Sequence, residues 1–373
     1  YTPSGMTGNY TVDGLTYDNR KKITIQTANV DADLTNFPLY VKISGDTDIG
    51  GNTNADGFDI RFTSSDGTTL LKYERESHVV AGGSLTANYW VKTPVTTAGT
   101  GATDIYIYYR STDTADGADP TNVWDSYYKG VWHLQEASGT VYDSTGNNVD
   151  GTAYGDLPTA ATAKIFDGQD SDGTGDQILL QTPTVLDPGT GTFTIETWIR
   201  PDITNTLLAF FGAADFGGAG VGDEYGLSVY QDKFIFKVND GTQYPFVYSN
   251  STYSAGTWYH YVGVRTTTGA GGIKSYVNGV LQTGTDTCSG DITIADLNFN
   301  ILYSSYGSAS FNGMMDEARM PRGQAARRVI TRQMCIKFQA LEEPIWRNEQ
   351  RTRIGFLDAA YRGVGGDRCV FGE

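Results

Sequence analysis

The sequence predicts an all-β chain of two domains, an N-terminal antiparallel β-sandwich followed by a two-sheet jelly roll, with a short mixed or helical tail. Three observations carry that expectation. Short runs rich in β-branched and aromatic residues recur from the N-terminus to about residue 320, separated by Gly, Asp and Asn. The 373 residues include 46 Gly, 24 Tyr and 16 Phe, a composition that favours strands and turns over helices. Asn278-Gly279 and Asn239-Asp240-Gly241 are hairpin signals, because Asn and Gly tolerate positive φ.

In chain order, the first strands are "KKITIQTANV", "FPLYVKISG", "GFDIRFTSSDG", "TTLLKYERES", "ANYWVKTPV" and "TDIYIYYR". Several alternate apolar with polar residues, as a half-buried strand requires. Six or more at this spacing predict a sandwich over residues 1–120, closed by the small, polar linker "STDTADGADPTNVWDS". A second β pattern fills residues 121–320. Its strands are "AKIFDG", "DQILLQ", "GTFTIETWIRP", "TLLAFFG", "EYGLSVY", "KFIFKVND", "WYHYVGVRTT", "GIKSYVNG", "LNFNILYS" and "FNGMMDEARM". Residues 321–373 form the tail, where "GQAARRVITRQMCIKFQA" has helical spacing.

Charge and composition exclude some functions. A net charge of −16 argues against a nucleic-acid partner. No run of 18 apolar residues is present, so membrane insertion by a helix is not expected. Cys288, Cys335 and Cys369 do not make a disulfide framework, although Cys335 and Cys369 could pair. The chain begins at Tyr1 rather than Met, which fits removal of an N-terminal segment.

Five segments in order, "GVWHLQEASGTVYDSTGNNVDGT", "AKIFDG", "GTFTIETWIRP", "TWYHYVGVR" with "YVNGV", and "FNGMMDEARM", resemble bacterial laminin-G-like, concanavalin-A-like domains. The first domain resembles an uncharacterised bacterial β-domain found upstream of such modules, through "NRKKITI", "LTNFPLYVKI", "GFDIRFTSSDG" and "DIYIYYR". The second resemblance implies calcium, because related modules pair their first and last strands. Asp143, Asn147 and Asn148 would then meet Asp316 and Glu317, with Asp143 and Asp316 as the leading ligands. Calcium takes six to eight oxygens, and "DSTGNNVDG" supplies several between Gly146 and Gly151. The same residues also make a plain Asx turn, with Asp316 in a salt bridge. "FDGQDSDGTGDQ" reads as a solvated acidic loop.

No catalytic arrangement stands out. The Glu-x-Asp-x-x-Glu strand of jelly-roll glycosidases is absent around Glu196, and His133 and His260 alternate with aromatics as structural residues do. A non-enzymatic binding protein is expected. Trp198 and Trp258 stand at core positions of the family, so the candidate sugar-stacking rings are Tyr244, Tyr248, Tyr253, Tyr303 and Tyr306. The partner would be a glycan or cell-surface polymer, at a cell or virion surface or otherwise outside the cell. The alternative is a structural subunit whose partners are neighbouring copies of itself. Residues 318–373 hold eleven Lys/Arg against six Asp/Glu, a basic tail on an acidic body that could dock on an acidic face.

Overall fold

The computed structural model describes residues 9–25, 34–95, 103–112, 115–155, 159–160, 163–180, 184–204, 207–213, 224–240, 244–266, 272–282, 292, 298–304, 309–322 and 336–337. The first domain contains β1 (Tyr10–Val12), β2 (Leu15–Ile25), β3 (Leu34–Asp46), α1 (Thr47–Gly50), β4 (Arg61–Ser64), β5 (Leu70–Leu71), β6 (Tyr73–Ala81), β7 (Ser84–Val95) and β8 (Thr103–Ser111). One sheet runs β1-β2-β8-β4-β5 and the other β3-β7-β6. Period-two alternation builds the core between them. Leu39, Val41 and Ile43 of β3 face Ile23, Phe62, Ile105 and Ile107, while Tyr40 between them points outward. On β7, Tyr89 and Val91 go in and Asn88 and Trp90 go out, so the outer face of β3-β7-β6 carries large side chains.

After α2 (Pro120–Val123) the second domain continues with β9 (Tyr128–Trp132), β10 (Thr140–Val141), β11 (Gly151–Tyr154), β12 (Thr159–Ala160), β13 (Gly168–Asp172) and β14 (Gln177–Leu179). Next come β15 (Phe193–Pro201), β16 (Leu207–Ala213), β17 (Glu224–Tyr230), β18 (Lys233–Asn239), β19 (Phe246–Tyr248), β20 (Tyr259–Arg265), β21 (Ile273–Val277) and β22 (Val280–Leu281). The domain closes with β23 (Asn300–Ile301), β24 (Tyr303–Ser304), β25 (Ala309–Ser310) and β26 (Asn312–Pro321). Its sheets run β10-β11-β14-β23-β16-β17-β18-β19 and β12-β13-β26-β15-β20-β21-β22, with β9 also pairing β26. Phe193, Ile195 and Ile199 of β15 enter the large core between the sheets, and Glu196, Trp198 and Arg200 stay on the outer side. Asn278 and Gly279 take φ of 50° and 80°, which gives β21–β22 the tight hairpin expected of Asn-Gly.

The structure corrects several expectations. "TTLLKYERES" is two strands in different sheets, because β5 pairs β4 while β6 pairs β7. "AKIFDG" is bent rather than extended. The Ile165 N–H donates to Asp316 Oδ2 at 2.7 Å, and the strand begins only at Gly168. The acidic stretch that follows is not a plain loop, since Gly168–Asp172 is β13 and Asp176 is buried. "LNFNILYS" divides at Leu302, which has φ of 64°. Of the tail, Pro321 ends β26, Arg322 bridges Phe193, and beyond them only Ile336–Lys337 are described, in parallel pairing with Val41–Lys42 of β3. At those two residues the expected helix gives way to strand; the rest of it lies outside the described residues.

The outer face of β3-β7-β6 packs on the outer face of the sheet containing β26. Tyr40, Trp90, Val123, Trp124, Tyr128, Val131 and Ile165 form one buried cluster drawn from both domains and their connection. The two domains therefore share a seam, and polar residues flank its aromatic centre.

Candidate functional site

At the seam, Glu74 and Glu76 project from the outer face of β6 beside Trp90 of β7. They meet a β-bulge in β26. Glu196 pairs with Arg319 and Trp198 with Asp316, so β26 carries one residue more than β15 over that interval. Glu317 occupies the bulge at φ 56°. Met315, Ala318 and Met320 still reach the core, whereas Glu317 and Arg319 face the first domain. His133, directly after β9, lies between the two sets of acids. Its Nδ1 is 2.7 Å from Glu317 Oε1 and 4.0 Å from Glu76 Oε2, and its Nε2 is 3.2 Å from Glu74 Oε2.

Each acid has an outer partner. The Trp90 Nε1–H donates to Glu76 Oε2 at 2.7 Å, and the Trp124 Nε1–H donates to Glu74 Oε2 at 2.8 Å. The Ser144 hydroxyl donates to Glu74 Oε1 at 2.6 Å, across the seam. The Arg319 guanidinium donates to Glu317 Oε2 and lies 4.3 Å from the Trp90 ring centroid and 5.3 Å from that of Trp124. Burial alone would discharge His133, but Glu317 and Glu74 hold its pKa well above the ordinary value. Burial pushes the Glu74 and Glu317 carboxyls up, yet His133, joined by Ser144 and Trp124 at Glu74 and by Arg319 at Glu317, more than offsets it and both end below their usual range. Glu76 is pushed up to about 8 by burial and by the Glu317 charge, and Asp316 is raised well above its ordinary value for the same reasons.

The turn expected to hold calcium is built otherwise. Asp143 Oδ1 accepts from the Val131 and Thr145 N–H groups at 3.0 and 2.9 Å. Its Oδ2 accepts from the Thr145 hydroxyl at 2.8 Å and the Val149 N–H at 2.9 Å. Asn147 Nδ2 donates to the Tyr128 carbonyl at 3.0 Å, and Asn148 Nδ2 to the Gly146 carbonyl at 3.3 Å. Four donors of the chain already hold the Asp143 carboxylate, so its oxygens do not fit a calcium ion that must be met by bare oxygen atoms. Asp316 Oδ2 accepts from Ile165, and Glu317 turns to His133 and Arg319. The two stretches lie beside each other through β9 and β26, but their carboxylates do not converge.

A separate recess of about 260 Å³ opens where the edges of both sheets come together. Phe234, Tyr253, Tyr259, Val277 and Val280 supply its apolar walls, and Ser249, Asn250, Ser251, Thr252 and Gln282 its polar ones. Gln282 Oε1 accepts from the Asn250 N–H at 2.7 Å, which ties the two walls together. Apolar side chains are exposed on both edge strands: Phe246 at 41% on β19, and Val280 and Leu281 at 59% and 51% on β22. Of the tyrosines singled out from the sequence, Tyr248 is half-buried beside Ser249 and packs its ring on Phe246 at 5.1 Å. Tyr244 is exposed just before β19. Tyr253 is not an exposed platform: it is buried in the core, with its hydroxyl donating to the Ile203 carbonyl at 3.1 Å. Tyr303 lies apart on β24, and Tyr306 lies outside the described residues. Trp198 and Trp258 are half-buried on the outer side, against Lys164 and Arg200 respectively, rather than in the core.

The seam was not visible in the linear sequence. Glu74 and Glu76 alternate with Tyr73 and Arg75 as a solvated face does. The available signal was an outward Trp90 on the neighbouring strand, since a large aromatic on the outer face of a sheet marks covered surface.

Comparison with known families supports this layout. Residues 172–322 match the family model of the concanavalin A-like lectin/glucanases superfamily, and residues 56–150 match that of a domain of unknown function, DUF2341. Among solved structures, domain 4 of AbnA, a GH43 extracellular arabinanase from Geobacillus stearothermophilus, was determined with arabinotriose; it is 20% identical, covering 52% of this chain and 92% of that one, with a TM-score of 0.41. The binding domains of Paraclostridial mosquitocidal protein 1 and of botulinum neurotoxin serotype D are 13% and 10% identical, with TM-scores of 0.40 and 0.41. Each covers 55% of this chain, which spans 51% of theirs. No curated protein matches the chain.

Proposed function

From a second domain of the concanavalin A-like superfamily behind a DUF2341 domain, we propose a non-catalytic binding protein that recognises a glycan or cell-surface polymer outside the cell. The recess between the two sheet edges carries this reading. Its mixture of apolar wall and hydroxyl or amide groups suits a sugar, whose faces are apolar and whose rim is polar. Tyr244, Phe246 and Tyr248 lie on the segment leading into its Ser249–Thr252 wall and offer stacking surface beside it. The acids that could act as a catalytic pair, Glu76 and Glu317, are instead enclosed between the domains. No helix among the described residues is long and apolar enough to cross a membrane.

Titration of the full chain with a panel of neutral and acidic oligosaccharides tests this. At least one class should bind, and Tyr248→Ala with Asn250→Ala should weaken it by about tenfold or more, since one stacked ring or polar contact contributes on the order of 1.4 kcal/mol. A second reading, a structural subunit, is favoured by exposed Val280 and Leu281 on β22, an edge strand among the described residues, where another copy could pair. Absence of any glycan binding, together with concentration-dependent oligomers dispersed by Val280→Lys, would select that reading instead.

A further inference from the structure

We propose that Glu76, His133 and Glu317 are the protein ligands of a divalent transition-metal ion, zinc in the simplest case, that ties the first domain to the second. The ligand atoms of these three residues lie within 4.8 Å of one another, and all three residues are buried. They come from β6, from the residue after β9 and from the β26 bulge, so neither domain holds the set alone.

The surroundings are those of a ligand set rather than a closed salt bridge. Glu76 Oε2 accepts from the Trp90 N–H, Glu317 Oε2 accepts from Arg319, and His133 Nε2 lies 3.2 Å from Glu74 Oε2. Outer contacts of this kind orient metal ligands, and His133 turns Nδ1 toward Glu317 and Glu76. Among the described residues, Glu76 Oε1, Asp316 Oδ1 and His133 Nε2 are buried without a hydrogen-bond partner, although a buried polar atom normally has one.

The charge count points the same way. Four carboxyl groups, Glu74, Glu76, Asp316 and Glu317, face two cations, His133 and Arg319. Among the described residues these two cations do not balance the four acids, and a dication would.

The donor set decides the class of ion. Calcium prefers six to eight oxygens, whereas one imidazole with two carboxylates suits zinc and its neighbours. A tetrahedral zinc with bonds of about 2.1 Å places its ligand atoms about 3.4 Å apart. The His133 Nδ1 distances of 2.7 Å to Glu317 Oε1 and 4.0 Å to Glu76 Oε2 bracket that spacing, and all three ligand atoms lie within 4.8 Å of one another.

The test uses the full chain, unfolded in denaturant with EDTA and refolded with or without zinc, because the site is closed in the folded protein. One zinc per chain should survive gel filtration, and at a hundred times its dissociation constant it should raise the melting midpoint by about 4 °C over the EDTA form. Glu76→Gln keeps an acceptor for Trp90 but loses the anionic ligand. It should weaken zinc by more than the 10–100-fold that losing an outer partner typically costs. If that variant does not fold, cobalt(II) bound to the unaltered chain should give the strong visible bands of a four-coordinate site. A chain that refolds without retaining zinc and with no shift in melting overturns the proposal. So does zinc retained equally by Glu76→Gln, or weak six-coordinate cobalt bands; a site built from the three cysteines would give the former.

Discussion

Asp143 and Glu76 are both buried carboxylates, one in a turn rich in Asp, Asn and Gly, the other on a strand with no such company. The crowded one is fully provided for. Three N–H groups and a hydroxyl from within nineteen residues of chain close on Asp143, and the turn needs nothing further. Glu76 receives one indole N–H and otherwise meets Glu74 on its own strand and Glu317 and His133 across a domain boundary. The difference teaches that the density of acidic residues along a sequence is a poor guide to a site. What matters is whether local donors exist, and a turn supplies backbone N–H groups that a strand spends on its ladder. The seam retains unmet valences because its groups come from segments with no local means of satisfying one another.

The largest expected effect tests the seam. Arg319→Ala removes the cation that Glu317 and Glu196 share and the guanidinium stacked by Trp90 and Trp124. Among the described residues Glu317 then keeps only His133 and Glu196 only His260, and removing one partner of a buried ion pair should cost about 3–5 kcal/mol in urea unfolding. Arg319→Met keeps the stem and separates lost charge from lost packing. A cost under about 1 kcal/mol for both would mean that water enters the seam and that the comparison with Asp143 fails.

Next comes the turn. Asp143→Ala strands the Val131, Thr145 and Val149 N–H groups, and an unsatisfied buried donor costs about 1–3 kcal/mol. A total near 3 kcal/mol is expected, because the turn can partly rehydrate. Since the native donors already hold the carboxylate, melting in millimolar calcium and in EDTA should coincide for the parent chain. A calcium-dependent rise that Asp143→Ala abolishes would restore the metal to the turn and reverse the contrast drawn above.

How much of this was legible in the sequence follows the same division. Alternation located β15, β17 and β20, and Asn278-Gly279 located a hairpin, because these signals are local. The β17–β18 turn uses Gln231 and Asp232 at φ of 48° and 62°, residues whose types do not announce it. Glu317 in the left-handed region is rarer still for its type, and the bulge it forms decides which side chains face the seam. Trp198 read as core from its family position, yet β15 turns it outward with Glu196 and Arg200. The candidate rings divided by burial: sequence could place Tyr244, Tyr248 and Tyr253 on one connection, but not tell that Tyr253 turns inward.

The smallest expected effect concerns a second locally satisfied group, His78. Its Nδ1 lies 2.6 Å from the Tyr89 hydroxyl and its Nε2 is 3.0 Å from the Asn54 carbonyl, an arrangement that suits a neutral ring. Gly57, at φ 69°, leaves the space the ring occupies, since a Cβ there would stand 2.7 Å from Nδ1. Burial holds the His78 pKa below its ordinary value. The unfolded chain therefore takes up a proton near pH 6.5 while the folded one does not. Stability from this residue is intact above pH 6.5 and declines as the pH falls below it, the opposite of His133, whose raised pKa makes its contribution fade as the pH rises. The ring is only half-buried, so screening should keep the effect under about 1 kcal/mol. Urea unfolding of the parent chain and of His78→Gln at pH 7 and pH 5 reads it directly. The variant should lose less stability than the parent between the two values; an equal or greater loss would show that the His78 ring accepts its proton in the folded state.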